Sequence, residues 1–235
     1  MKRTVFIGFD PRETAGFAVT RHSARRHGIA PVPTFGLRLA ELRAAGLYHR
    51  PTSIRDGRLW DDISEAPMST EFAISRFLVP HLAGGGWALF MDCDMLVRTN
   101  LDRLFDQADP DKAVMVVKHD HRPANDIKMD GQLQTAYARK NWSSVMLINC
   151  GHKANRALTP ALVNAVAGRD LHRFCWLDDS EIGGLDPKWN FLVGHSDPRI
   201  DPAIVHFTDG TPDMPGYEAA PWAEEWRAEL MRWAA

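Results

Sequence analysis

Apolar runs of strand length recur along the chain, and longer stretches of helical pattern lie between them. Residues 4–9, 32–39, 88–91, 113–117, 145–148 and 204–207 carry the strand pattern, while the stretch after the first run and residues 69–82 carry the helical one. Such alternation marks βαβ units, because parallel neighbours need a long crossover and a helix supplies it. The expected fold class is therefore α/β, with a mostly parallel central sheet flanked by helices. At 235 residues and 45% hydrophobic content the chain suits a single domain, 1–235, built on one core.

Local signals refine this picture. Asp10-Pro11-Arg12-Glu13 sets a capping Asp before Pro at the first helical position and Glu at the third, so a helix is expected at once after the first strand. Residues 45–67 are rich in Arg, Asp, Gly and Pro and lack periodicity, which predicts a surface loop. An apolar stripe of Trp222, Trp226, Leu230 and Trp233 predicts a C-terminal amphipathic helix over 221–233. Its polar side carries Glu224, Glu225 and Glu229, unlike the basic face of membrane-surface helices, so the helix is expected to dock on the domain.

The most informative chemistry lies at the end of the third strand run, where Trp87-Ala88-Leu89-Phe90-Met91 passes into Asp92-Cys93-Asp94. Ligands gather at the carboxyl ends of strands in open α/β sheets. In extended backbone, residues two apart point the same way, so both carboxylates can face one hard cation. Asp109-Pro110-Asp111 has the same spacing but sits in a polar loop after a helical segment, where solvation explains it. For Asp92 and Asp94 the residues alone leave a second reading open, a strand-end cap or turn.

A formal net charge of −2 argues against nucleic acid as a partner, since such partners demand a basic face. Cys93, Cys150 and Cys175 are odd in number and widely spaced, which speaks for a reducing compartment, and the cytoplasm is the expected location. No apolar run reaches the ~20 residues of a membrane span.

Five segments, in order, resemble the GT-A fold glycosyltransferases, and within them the retaining enzymes of glycosyltransferase family eight, such as glycogenin and lipopolysaccharide galactosyltransferases. They are Ser69 to Phe77 with Arg76, Phe90-Met91-Asp92-Cys93-Asp94, Val145-Met146-Leu147-Ile148-Asn149, Trp189-Asn190, and Val205-His206-Phe207-Thr208-Asp209-Gly210. The resemblance implies transfer of a sugar, with retention, from a nucleotide-diphosphate sugar, of which a UDP-sugar is the expected one, to a glycan or glycolipid acceptor. It implies a metal held by Asp92, Asp94 and His206. Manganese is expected ahead of magnesium because it accepts imidazole beside carboxylates. Read residue by residue, the resemblance places Arg76, Asp92, Cys93, Asp94, Gly210 and Thr211 around the donor. Phe9 and Asp10, at the end of the first strand, are expected to meet its nucleobase and ribose, although Asp10 also suits a helix cap.

Asp178 and Asp179 occupy the place where the family has a catalytic acidic motif, with a helix cap as their alternative. Trp189, Asn190 and His119 are expected on the acceptor side. Two departures stand out. Gly210 is followed by Thr211-Pro212-Asp213 where the family carries a Lys-Pro-Trp, and Trp142-Ser143-Ser144 replaces an Asn-Ala-Gly. Lys128, Arg139 and Lys140 are the expected substitutes for the missing phosphate-binding lysine. Two rival functions fit some of the same residues. One is a haloacid-dehalogenase-type phosphatase, with Asp92 as nucleophile, Lys118 on phosphate and the 178–179 acids on magnesium. The other is a non-catalytic carbohydrate-binding relative.

Overall fold

The computed structural model describes residues 2–27, 32–119, 139 and 141–235. Twelve strands form among them: β1 (Arg3–Gly8), β2 (Thr34–Leu37), β3 (Thr52–Arg55), β4 (Arg58–Asp61), β5 (Ala66–Pro67), β6 (Trp87–Met91), β7 (Met95–Val97), β8 (Val114–Val116), β9 (Val145–Asn149), β10 (Ile182–Gly184), β11 (Phe191–Leu192) and β12 (Ile204–His206). The main sheet has the order β10-β8-β9-β6-β1-β2. Only β9 runs against its neighbours; the other five strands share one direction. The mostly parallel sheet expected from the sequence is present. Its central strands are apolar on both faces, as β6 shows with five buried residues in a row, because elements cover the sheet on both sides.

Helix α1 (Thr14–Arg26) follows β1 and buries Phe17, Ala18, Val19, Thr20, Ser23 and Ala24. Its start differs from the expected capping box. Glu13 is the N-cap and makes no side-chain cap bond. The Asp10 carboxylate instead accepts from Arg12 at Nε and at the backbone N–H, both at 2.9 Å, and from the Glu71 N–H at 2.9 Å. The polar side chains of α1 grip the segment after β6. Thr20 Oγ1 lies 2.7 Å from the carbonyls of both Cys93 and Met95, and Ser23 Oγ accepts the Val97 N–H at 3.1 Å.

Two further expectations are corrected. The helical pattern of 69–82 resolves into turns, a 3-10 turn at Ser75–Leu78 and a short helix at Val79–Ala83. Pro80 fits the first turn of a helix but no helix interior, so a new helix starts there. Residues 45–67 are not a plain loop, since they contain the antiparallel sheet β3-β4-β5. Asp56 and Gly57 both have positive φ, at 50° and 74°, and form its two-residue hairpin turn. Buried Arg50 anchors this small sheet, with Nε on Asp61 at 2.8 Å and Nη1 on the Val163 and Val166 carbonyls at 2.7 Å each.

A third sheet, β11-β12-β7, sets the site. Strands β12 and β7 are antiparallel with His206 opposite Met95, so the end of β12 arrives beside Asp94, and the Phe207 N–H donates to the Asp94 carbonyl at 2.9 Å. The C-terminal helix Ala223–Ala234 packs on α1, with Trp226 buried among Val19, Leu96, Val205 and Phe207. Docking on the domain is as expected, but its stripe differs: Glu229 is buried, and Trp233 is 55% exposed. Among the described residues no helix is long and apolar enough to cross a membrane.

Candidate metal and donor site

Between β6 and β7 the chain bends at Cys93 and Asp94, and Asp92 and Asp94 both line one cavity. Cys93, between them, is buried and its thiol donates to Glu13 Oε2 at 3.3 Å. His206 closes the group. Asp92, Asp94 and His206 each offer a ligand atom, and these atoms all lie within 4.8 Å of one another. His206 Nε2 is 3.3 Å from Asp94 Oδ2, and its Nδ1 is 3.0 Å from Asn190 Oδ1. Asn190 is fully buried, and its Nδ2 donates to Ser144 Oγ at 2.8 Å and the Asn141 carbonyl at 3.3 Å. Arg76 is buried beneath the acids, with Nη1 2.7 Å from Asp92 Oδ1 and 2.9 Å from the Ser143 carbonyl.

The electrostatics of this arrangement call for additional positive charge. Burial pushes the Asp92 carboxyl up to about 6, against the pull of Arg76 and with the help of Asp94. Burial, and then the charge of Asp94, pushes Glu13 up to about 7. For His206, burial acts downward but the adjacent Asp94 outweighs it, and the pKa is raised. Asp94 Oδ1 is buried with no hydrogen-bond partner among the described residues. An orphaned carboxylate oxygen beside two like-charged neighbours is costly unless something neutralises it. One divalent cation fits: ligand atoms about 2.1 Å from a small metal ion stand roughly 3 Å apart, and two carboxylates with one imidazole form a donor set that suits manganese. The Asn190 contact on Nδ1 is the outer-shell partner such a histidine needs.

These residues line a cavity of about 220 Å³. Its charged lining is Glu13, Arg76, Asp92, Asp94 and His206, and Ser69, Thr70, Ser143, Ser144, His172 and Thr208 add uncharged polar groups to it. A larger cavity of about 400 Å³ lies near the other end of α1, among Arg21, Arg25 and Trp233, and contains none of the metal-type cluster.

Several expected site residues fall elsewhere. Asp178 and Asp179 are both exposed and neither lines the cavity. The Asp178 N–H donates to Glu181 Oε2 at 3.0 Å in a capping box, so the helix-cap alternative describes Asp178, and Asp179 pairs with Arg139. Arg139 therefore faces Asp179 and the Arg173 carbonyl, away from the acids. Lys128 and Lys140 lie outside the described residues. His119 lies just past β8, where its carbonyl accepts the Trp142 indole N–H at 3.1 Å, and it does not line the cavity. Trp189 is buried core, and Asn190 stands behind His206; neither presents an acceptor surface.

On the expected donor side, Gly210 has Tyr217 ring carbons 2.5 Å from where a Cβ would sit, and Thr211 is 1% exposed with its hydroxyl donating to Asp213 at 2.6 Å. Both serve packing of the chain after β12, and Thr208 is the residue of that segment on the cavity. Phe9 stacks edge-on with Phe17 at 5.0 Å under the Arg38 guanidinium, 3.6 Å from the ring centroid. Asp10 is fully buried on Arg12 and Glu71, whose hydrogen bonds outweigh burial and hold its carboxyl below the ordinary value.

The phosphatase reading loses its parts here. Lys118 donates to the Ile182 carbonyl at 2.8 Å, and the 178–179 acids are remote from the cavity wall. Conversely, Glu13 and His172 were missed. Glu13 completed a convincing capping pattern, and His172 belongs to no motif.

No protein-family model matches the chain. Protein CDI of Arabidopsis thaliana is 42% identical over 232 residues, covering 96% of this chain and 85% of that protein. Among solved structures, the glycosyltransferase GlyE of Streptococcus pneumoniae TIGR4 is similar over 100% of this chain and 62% of its own, with a TM-score of 0.62 and 15% identity. This chain thus spans less than two thirds of that protein. The galactosyltransferase LgtC, in complex with donor and acceptor sugar analogs, is similar over 97% of this chain and 95% of its own, with a TM-score of 0.57 and 15% identity. At such identities the likeness speaks for the GT-A fold alone, as the sequence led us to expect.

Proposed function

The chain belongs to the family of the Arabidopsis thaliana protein CDI, and from that premise and its GT-A fold we propose that it is a metal-dependent glycosyltransferase. It takes a sugar from a nucleotide-diphosphate sugar, a UDP-sugar first among them, and passes it with retention to a glycan or glycolipid. The observation that carries this reading is the convergence of Asp92, Asp94 and His206 within 4.8 Å at the carboxyl end of the central strand. Manganese is the proposed ion.

When bound, the cation supplies charge neutralisation to the leaving diphosphate. The chain's own residues do the rest. Asp92, Asp94 and His206 would hold the cation, and Asn190 orients the His206 ring through Nδ1. Arg76 fixes Asp92 through their 2.7 Å ion pair and adds a permanent positive charge below the diphosphate, where burial strengthens it. Glu13, held by Cys93, bounds the donor pocket on the α1 side. With Arg139 paired to Asp179, Arg76 is the arginine on the cavity wall among the described residues.

Thermal denaturation with UDP-sugars, with and without manganese, tests the proposal. Ligand at 100 times its Kd adds about 2.7 kcal/mol, a rise of roughly 5–10 °C for a chain of this size. Asp94→Ala is expected to abolish the manganese-dependent part of the rise. A rise that is the same in wild type and variant rules the site out.

A further inference from the structure

The cavity lining also holds a hydrogen-bonded pair that metal binding does not use. Ser143 Oγ and His172 Nδ1 are 2.7 Å apart, and both residues line the cavity. The pair is tied to the metal side through one arginine, because the Ser143 carbonyl accepts Arg76 Nη1 at 2.9 Å and the same Nη1 is 2.7 Å from Asp92. His172 ends the helix Gly168–His172, and its ring meets Phe77 edge-on with centroids 5.2 Å apart. One nitrogen and one flank of the ring are thus held, while no described residue hydrogen-bonds to Nε2. Burial and then the charge of Arg76 push His172 down to about 3, so the ring is neutral at physiological pH.

The chemistry of this wall selects a class of ligand. A neutral imidazole nitrogen offers a single hydrogen bond and no charge. Thr70 Oγ1, also on the cavity lining, is buried with no hydrogen-bond partner among the described residues. Ser69, Ser144 and Thr208 add further hydroxyls. Phosphate would seek cations here and a metal would seek carboxylates. Groups that both donate and accept without charge match the hydroxyls of a sugar ring.

We propose that His172 is a specificity-determining residue that reads a hydroxyl of the transferred sugar through Nε2, and that Ser143 is the residue that positions it. The inference rests on the nucleotide-sugar reading of the metal site. It separates two tasks within one cavity: the acids and Arg76 serve the diphosphate, and the Ser143–His172 pair serves the sugar.

The test is the gain in affinity that the sugar adds to the nucleotide. Wild type, His172→Phe and Ser143→Ala are titrated calorimetrically in manganese with UDP, UDP-glucose, UDP-galactose and UDP-N-acetylglucosamine. His172→Phe keeps an aromatic ring against Phe77 but has no nitrogen. It is expected to leave UDP affinity within about twofold while cutting the gain from the best-bound sugar about tenfold, the worth of one hydrogen bond. Ser143→Ala is expected to lose part of that gain, and it carries the comparison alone should His172→Phe not fold. A gain that survives in the variants overturns the inference. So does an equal loss for UDP and UDP-sugar, which would make the pair a mere support for Arg76. Wild type that binds UDP with no gain from any of these sugars overturns this inference alone, whereas wild type that binds neither overturns the donor reading with it.

Discussion

Asn190 governs the candidate metal site without facing it. Ser144 Oγ donates to the Asn141 carbonyl at 2.7 Å, so it can only accept from Asn190 Nδ2. That fixes the amide with its oxygen toward His206, makes His206 Nδ1 the donor, and leaves Nε2 facing the acids, 3.3 Å from Asp94 Oδ2. The orientation is a chain of hydrogen-bond polarity, and its two links through Asn190 are buried. Replacing Asn190 with Leu, of similar size and with no hydrogen bonds, is expected to weaken manganese binding roughly 10–100-fold. Isothermal titration with manganese alone reads this, and an unchanged affinity would remove Asn190 from the account. Sequence showed the Trp-Asn pair, and the structure sets Asn190 behind His206. Its position behind His206 follows from the pairing of β11 with β12, which no local pattern encodes.

At the scale of elements, the segment 45–67 is the instructive case. Arg50 and Asp61 are both buried, and their charges, which suggest a solvated loop when read along the chain, are instead paired inside it. Arg50 also takes two carbonyls from the end of the helix Pro160–Ala165, joining the small sheet to a distant part of the chain. Removing one partner of a buried pair leaves an uncompensated charge, so Arg50→Ala is expected to cost about 3–5 kcal/mol in urea unfolding. A loss below about 1 kcal/mol, the range of an exposed pair, would contradict the burial argument. One signal in this segment was legible. Asp56-Gly57 is a strong two-residue hairpin pattern, but the flanking residues do not alternate cleanly enough to announce strands. Conversely, β6 announced itself because a strand buried on both faces needs an unbroken apolar run.

Across the whole molecule, the C-terminal helix closes on α1 around a buried carboxylate. Glu229 lies 2.7 Å from His22 Nδ1 and 3.0 Å from both Arg26 and Arg232. Burial pushes its carboxyl up, but the hydrogen bonds of Arg26 and His22 outweigh burial and leave it below its ordinary value. A lowered folded pKa stabilises the native state above the unfolded glutamate value of about 4.3, and that stability is lost as pH falls through the folded value. Wild type is therefore expected to exceed Glu229→Gln in stability at pH 6, with the gap closing toward pH 3. Urea unfolding at the two pH values checks this, and a gap independent of pH would contradict it.

The order of apolar runs, and the two acids at the end of one of them, were determined by the sequence itself. Burial on both faces and the two-residue repeat of a strand are local, and they write themselves into neighbouring residues. That Glu13 would stand half-buried beside the acids, that His172 would meet Ser143 on the cavity lining, and which charges would be paired within the protein were decided by tertiary structure. Those outcomes depend on strand register and on partners far away in the chain. The energy of a charge is set by what surrounds it, and its neighbours in sequence are only a small part of that surrounding.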